Sequence, residues 1–184
     1  MARGTGPYLF QVGFNKCGTT SLYELFQRSG VPAMHGFLPK EHMAPMKQSR
    51  RAVIQRHVRK SVANPENPLG KLSRTGVRAF FDMELVSATE CIENFRHFPV
   101  FARAYPDAIF LLNTRERDDW LRSRARHLDG TYLAAATTRL AKSEDEVLAI
   151  WADDFDGHHE AVRTFFRDTP ERLVEFHITR DGID

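Results

Sequence analysis

Apolar residues in this chain come in short runs separated by amphipathic stretches. Tyr8-Leu9-Phe10-Gln11-Val12 is such a run, ending at Gly13, and it has the pattern of a buried strand. From Thr19 to Arg28, Leu22, Leu25 and Phe26 fall at spacings of three and four, the mark of a helix face. Gly30 is placed to close that helix. Val31 to Phe37 reads as a second short strand, and Gln48 to Val62 as a helix broken by Asn64-Pro65-Glu66-Asn67-Pro68-Leu69-Gly70. Val77 to Phe81 reads as a third strand ending at Asp82. Glu90 to Tyr105 reads as helix with an interruption near Pro99. Ala108 to Asn113 is the clearest buried strand, entered through the Pro106-Asp107 turn, and a helix follows over Asp118 to His127. Ser143-x-x-Glu146 is a capping box. It opens a long amphipathic segment carrying Val147, Ile150, Trp151, Phe155, Val162, Phe165 and Phe166, which Asp168-Thr169-Pro170 stops. Leu173 to Ile178 reads as a last strand.

Strands alternating with helices predict an α/β fold, three layers α/β/α around a mostly parallel central sheet. In such sheets ligands bind beyond the carboxyl ends of the strands, so the residues after Val12, Phe81 and Asn113 are the first candidates. The 184 residues fit a single domain over 1–184. Two cysteines, Cys17 and Cys91, exclude a disulfide framework or a four-thiolate zinc site. No apolar run approaches the roughly 20 residues needed to cross a bilayer, and the first seven residues do not resemble a signal peptide. The expected setting is cytoplasmic.

The net charge of +2 hides an asymmetry. Between Lys40 and Arg78 ten basic residues face only Glu41 and Glu66, a block of +8 that leaves −6 for the rest of the chain. One reading is a solvated helix face. The other is a field that draws in an acidic partner. Nucleic acid is not expected, because no aromatics interleave the charges between Lys47 and Lys71.

The most informative segment is Gly13-Phe14-Asn15-Lys16-Cys17-Gly18-Thr19-Thr20-Ser21, between the first strand and the first helix. Free N–H groups and the positive dipole end of a helix start make an anion site. Lys16 adds a charge, and Thr19, Thr20 and Ser21 add hydroxyl donors. The plain alternative is a loop that merely caps a helix. It is not a nucleoside-triphosphate loop of the usual kind, because Thr19 stands where a lysine should follow Gly18. The segment Lys16-Cys17-Gly18-Thr19-Thr20-Ser21-Leu22 instead resembles the 5′-phosphosulfate loop of the sulfotransferase family. A second segment agrees. Arg115 lies just past the strand ending at Asn113, and Ser123 is eight residues on, similar to that family's 3′-phosphate motif. Physically, an arginine beyond a strand end can fork onto two phosphate oxygens. The alternative is that Arg115 and Arg117 pair with Asp118 and Asp119 on a surface.

The resemblance implies a P-loop-like fold and transfer of a sulfuryl group from 3′-phosphoadenosine 5′-phosphosulfate (PAPS) to a hydroxyl or amine. The acceptor is a small molecule or glycan, or an acidic compound drawn to the basic block. It implies Lys16, Cys17, Gly18, Thr19, Thr20, Ser21, Arg115 and Ser123 as cofactor-binding residues, with Lys16 also acting on the leaving group. No metal is expected. His158 and His159 are adjacent, on different helix faces, and do not make the i, i+4 metal pair. For the base, Asp82 at the end of the third strand is the first candidate and His35 the second; their plain readings are a turn aspartate and a satisfied histidine. Two rivals stand beside the main reading. One is a P-loop kinase or NTPase, with Asp82 as the metal-binding aspartate. The other is a non-catalytic protein that keeps the fold. The resemblance also implies more helix after a strand like Leu173 to Ile178, so a part of the site beyond Asp184 is expected to be absent or supplied otherwise.

Overall fold

The computed structural model of the protein describes residues 6–46 and 50–181. Its strands are β1 (Leu9–Gln11), β2 (Ala33–His35), β3 (Ala79–Phe81), β4 (Glu84–Val86), β5 (Cys91–Glu93), β6 (Ile109–Thr114) and β7 (Leu173–His177). Its α-helices are α1 (Thr19–Arg28), α2 (Arg51–Ser61), α3 (Phe98–Ala104), α4 (Arg117–Ala125), α5 (Thr131–Leu140) and α6 (Glu144–Phe165). Five strands form one parallel sheet in the order β2-β3-β1-β6-β7. The chain leaves β3 on one side of β1 and returns as β6 on the other. The carboxyl ends of β1, β3 and β6 therefore lie side by side where the strand order reverses, the place such sheets reserve for ligands.

Central parallel strands are buried on both faces, which is why they are short apolar runs. Phe10, Phe80 and Phe110 stand on neighbouring strands, with Phe10 stacked 5.3 Å from Phe80 and 5.5 Å from Phe110. Phe101 of α3 and Phe166, just past α6, cover this row at 4.7 Å, joined in the same core by Ile54 and Val58 of α2. The alternate residues Leu9, Phe81 and Leu111 turn to the other face, where Leu22 and Phe26 of α1 pack. Helices on both faces give the three layers. A separate core beyond the sheet joins Phe14, Trp120, Tyr132, Leu133, Trp151 and Phe155.

The structure corrects the sequence reading in several places. The segment from Glu90 does not begin as helix. Cys91–Glu93 pairs antiparallel with Glu84–Val86, across a turn closed by Ser87 N–H to the Glu90 carbonyl at 2.8 Å. Pro99 does not interrupt a helix; it sits in the first turn of α3, where its missing N–H costs nothing. Helix α5 was not anticipated, because it starts at Gly130 without a side-chain cap and is rich in threonine. The basic helix runs from Arg51 to Ser61, and Gln48 lies outside the described residues. Along α6, Ile150 and Phe165 are exposed, whereas His158 and His159 are buried. His158 donates from Nε2 to the Val12 carbonyl at 2.6 Å, and His159 from Nδ1 to the Phe155 carbonyl at 2.7 Å. The capping box is present, with Ser143 Oγ accepting from Glu146 N–H at 3.3 Å and Glu146 accepting from Ser143 N–H at 2.9 Å. Among the described residues, no helix is long and apolar enough to cross a membrane.

Candidate functional site

Two buried amides hold the strand ends together. Gln11 donates from Nε2 to the Gly13 carbonyl and to Asn113 Oδ1 at 2.7 Å, and its Oε1 accepts from the Asp82 N–H at 2.9 Å. Asn113 donates from Nδ2 to the carbonyls of Cys17 at 2.8 Å and Phe14 at 3.2 Å. The loop after β1 is thus tied to the ends of both neighbouring strands. Gly13 makes this approach possible, because a Cβ there would collide with the Asn113 carbonyl and amide oxygens. Gly13→Ala is expected to destabilise the fold by about 1–3 kcal/mol, seen as a lower urea midpoint; an unchanged midpoint would show that the loop can move away from β6.

The loop itself is clamped from below through Asn15. The Asn15 carbonyl accepts from Trp120 Nε1 at 3.0 Å, and its Oδ1 accepts from Arg124 Nη1 at 3.0 Å. Its Nδ2 donates to Glu84 Oε1 and to the Tyr132 hydroxyl. Tyr132 in turn donates to Glu84 Oε1 at 2.5 Å. Arg124 is buried among the rings of Phe14, Trp120, Tyr132 and Trp151.

Burial raises the Glu84 carboxyl to about 7, against the opposing pull of Arg124. An acid that holds its proton more tightly in the folded state stabilises the fold at low pH. That contribution is lost as pH rises from the ordinary carboxylate range toward 7. Glu84→Gln is therefore expected to gain stability relative to the parent at pH 8 over pH 5, read from urea midpoints at the two pH values. An equal difference at both would refute the assignment.

Above this floor lies a cavity of about 540 Å³. One wall carries Lys16, Gly18, Thr19 and Thr20 from the loop and first turn of α1. The second carries Arg115 and Ser123, and the third His35, Arg51 and Asp82. Lys16, Arg115, Ser123 and His127 also border an adjoining space of about 460 Å³ that includes Arg122 and Arg126. The Lys16 ammonium lies 3.2 Å from His127 Nδ1. Burial, and then Lys16, push the His127 pKa below its usual value, so this ring is a neutral acceptor for the ammonium. Arg115 Nη1 donates to the Lys16 carbonyl at 3.1 Å, joining two segments 99 residues apart. Arg115 Nε is buried without a hydrogen-bond partner among the described residues. An anion seated beside it would satisfy that donor.

On the third wall Asp82 is buried between two bases. Its Oδ2 pairs with Arg51 Nη1 and lies 3.5 Å from His35 Nδ1. The other nitrogen of His35, Nε2, lies 3.1 Å from Thr19 Oγ1 and 3.5 Å from Thr20 Oγ1. Burial lowers the His35 pKa, against the opposing pull of Asp82, which leaves the imidazole neutral near pH 7 and able to take a proton.

The family model described as a sulfotransferase domain matches residues 9–183. The chain belongs to the sulfotransferase family. No curated protein matches it.

In this sulfotransferase, the structure gathers Lys16, Gly18, Thr19, Thr20, Arg115, Ser123, His35 and Asp82 on one cavity. Two expected residues stand apart from it. Ser21 is exposed on α1 and is not among the lining residues. The Cys17 side chain is in the core beneath the loop, where burial pushes its thiol up to about 12; only its backbone remains for a ligand. Of the surface pairing considered for Arg115 and Arg117, only Arg117 with Asp118 occurs, at 3.6 Å; Arg117 also pairs with Asp156 at 2.6 Å, Asp119 pairs with Arg122, and Arg115 takes no part. Among the described residues no group of three or more His, Cys, Asp or Glu could hold a metal. Sequence reasoning missed Arg51, Glu84, His127 and Tyr132 on the cavity wall. Only Arg51 had left a trace, as one charge in the basic block.

Proposed function

We propose that this sulfotransferase moves the sulfuryl group of PAPS to the hydroxyl or amine of an acceptor. The observation that carries the proposal is the convergence of Lys16, the Gly18–Thr20 turn, Arg115 and Ser123 on one cavity, with the Arg115 Nε donor left unmet. In this reading the N–H groups at the start of α1, with Thr19 and Thr20, hold the 5′-phosphate. Arg115 and Ser123 hold the 3′-phosphate, the group that separates PAPS from ATP. Lys16 faces the oxygen that bridges phosphorus and sulfur.

The acceptor oxygen or nitrogen forms a bond to sulfur as the bond from sulfur to the bridging oxygen breaks. The electron pair of that bond stays on the 5′-phosphate, where Lys16 and the backbone donors stabilise the growing charge. The acceptor proton passes to a base. His35 takes that role with Asp82 behind it, because the Asp82 oxygen is already engaged by Arg51 while His35 Nε2 faces the loop hydroxyls. No metal enters this scheme. A cytoplasmic setting is part of this reading.

The test is binding, then turnover. Adenosine 3′,5′-bisphosphate should bind without magnesium, and labelled sulfate should pass from PAPS to members of a hydroxyl and amine panel. Magnesium-dependent ATP binding with none for the bisphosphate would replace the proposal with the NTPase reading. Bisphosphate binding without transfer to any acceptor would favour the non-catalytic one.

A further inference from the structure

We propose that Arg51 is the acceptor-recognition residue of this site, and that it selects small acceptors carrying a carboxylate. The inference rests on the transfer reading above. Arg51 opens α2 and lines the same cavity as Lys16 and Arg115, from a different element. Its Nη1 is used twice, toward Asp82 and toward the Glu84 carbonyl at 3.4 Å. Its Nε and Nη2 make no hydrogen bond among the described residues, and the side chain is 34% exposed. Half of a planar fork is therefore anchored and half is open, and the open edge suits two parallel bonds to one carboxylate.

The backbone makes room for this side chain. Gly36, at the end of β2, has φ +69, and a Cβ there would stand 2.5 Å from Arg51 Cζ. Any residue larger than glycine would push the guanidinium away and would strain the backbone. Gln55, one helical turn after Arg51, donates from Nε2 to the Gly36 carbonyl at 3.2 Å and fixes the turn under the guanidinium. The position is built rather than incidental.

Charge accounting points the same way. The donor is an anion of several charges, and Lys16 and Arg115 are committed to it. A second anion in the same cavity needs a cation beside it, and Arg51 is the arginine on the acceptor wall, paired through Nη1 with Asp82 and open along its other edge. Leu85, Val86 and the exposed Leu128 supply apolar surface on the remaining walls. The acceptor that fits has a carboxylate at one end, an apolar middle and a hydroxyl or amine at the other. Asp82 then has two tasks: it holds the guanidinium in place and it backs His35.

The test is calorimetric titration of the full chain with 4-hydroxybenzoate and 4-hydroxybenzamide, and with 3-hydroxybutyrate and its amide. Each titration is made with and without saturating adenosine 3′,5′-bisphosphate. At least one acid should bind about tenfold tighter than its amide. Arg51→Gln should erase that difference, and Arg51→Lys should keep part of it. Bisphosphate affinity should be the same in parent and variants, which shows that the variants are folded. Equal affinity for acids and amides, binding of none of the four, or a preference that survives in Arg51→Gln would overturn the assignment. If the bisphosphate fails to bind the parent protein, the donor reading falls instead, and the acid–amide comparison in its absence still decides the role of Arg51.

Discussion

A Lys16→Ala protein is expected to transfer sulfate about 10²–10³-fold more slowly than the parent, in a single-turnover assay with labelled PAPS. The affinity for adenosine 3′,5′-bisphosphate should change far less. The asymmetry follows from where the ammonium sits. Lys16 is part-way along the loop, with φ +62, a conformation that sends its side chain over the cavity while its carbonyl turns back to Arg115. In the cavity its ammonium already has a neutral partner, His127 Nδ1 at 3.2 Å, so it is directed before any ligand arrives. On the proposed reading, the backbone donors and hydroxyls of the α1 start remain in the variant and should go on holding the 5′-phosphate. What is lost is the charge that meets the leaving oxygen, and that charge develops only as the bond breaks. Lys16→Arg should recover part of the rate. A parent-like rate in Lys16→Ala would remove the lysine from the chemistry.

Arg115→Ala carries the second large effect. It should weaken adenosine 3′,5′-bisphosphate by about 100-fold, the scale of losing two charge-assisted hydrogen bonds, measured by titration calorimetry. The same variant should bind 5′-AMP with a much smaller loss. The comparison matters because Arg115 also supports the Lys16 carbonyl. Damage to the loop would weaken both nucleotides alike, whereas loss of a 3′-phosphate contact weakens only the bisphosphate. Ser123→Ala, which removes a single hydroxyl, should show the same selectivity at a smaller scale. Equal losses for the two nucleotides would make Arg115 a structural support for the loop and nothing more.

What the sequence revealed of this site was what chemistry compresses into short segments. Lys16 through Thr20 lie at one strand–helix turn, and Arg115 with Ser123 lie at another, so local pattern was enough to find both. The third wall is different. Asp82 and His35 were each legible as residues at strand ends, but their meeting with Arg51 was not, because it depends on β3 inserting between β1 and β2 and on α2 packing across them. No spacing in the chain encodes that. Glu84 and Tyr132 were hidden for the same reason, since each is buried by a partner 48 residues away. The small β4–β5 hairpin escaped because Glu84–Val86 and Cys91–Glu93 each carry a glutamate and lie in no apolar run, whereas the equally short β1, β2 and β3 were found through the longer apolar runs around them. On α6 the apolar pattern located the helix and its buried Val147, Trp151, Phe155 and Val162, but it also counted Ile150 and Phe165, which are exposed, and passed over His158 and His159, which are buried. His158 takes a buried place there because the Val12 carbonyl, at the end of β1, needs a donor, and hydropathy does not report such a need.

The Gln11 amide has a consequence for how this sequence can change. One buried side chain satisfies a carbonyl on the loop, a side-chain oxygen on β6 and an N–H at the end of β3. No single neighbour can move to take over those three duties. Substitutions at position 11 therefore cannot be compensated one at a time: position 113 and the backbone at position 82 would have to change in the same step. Arg51 is itself held by Asp82, the Glu84 carbonyl and the close approach of Gly36, so on the proposed reading the cavity has more freedom to change at Leu85, Val86 and Leu128, which take no part in these ties. On that reading, new acceptor preferences should arise by substitutions at such wall positions, with the strand ends unaltered.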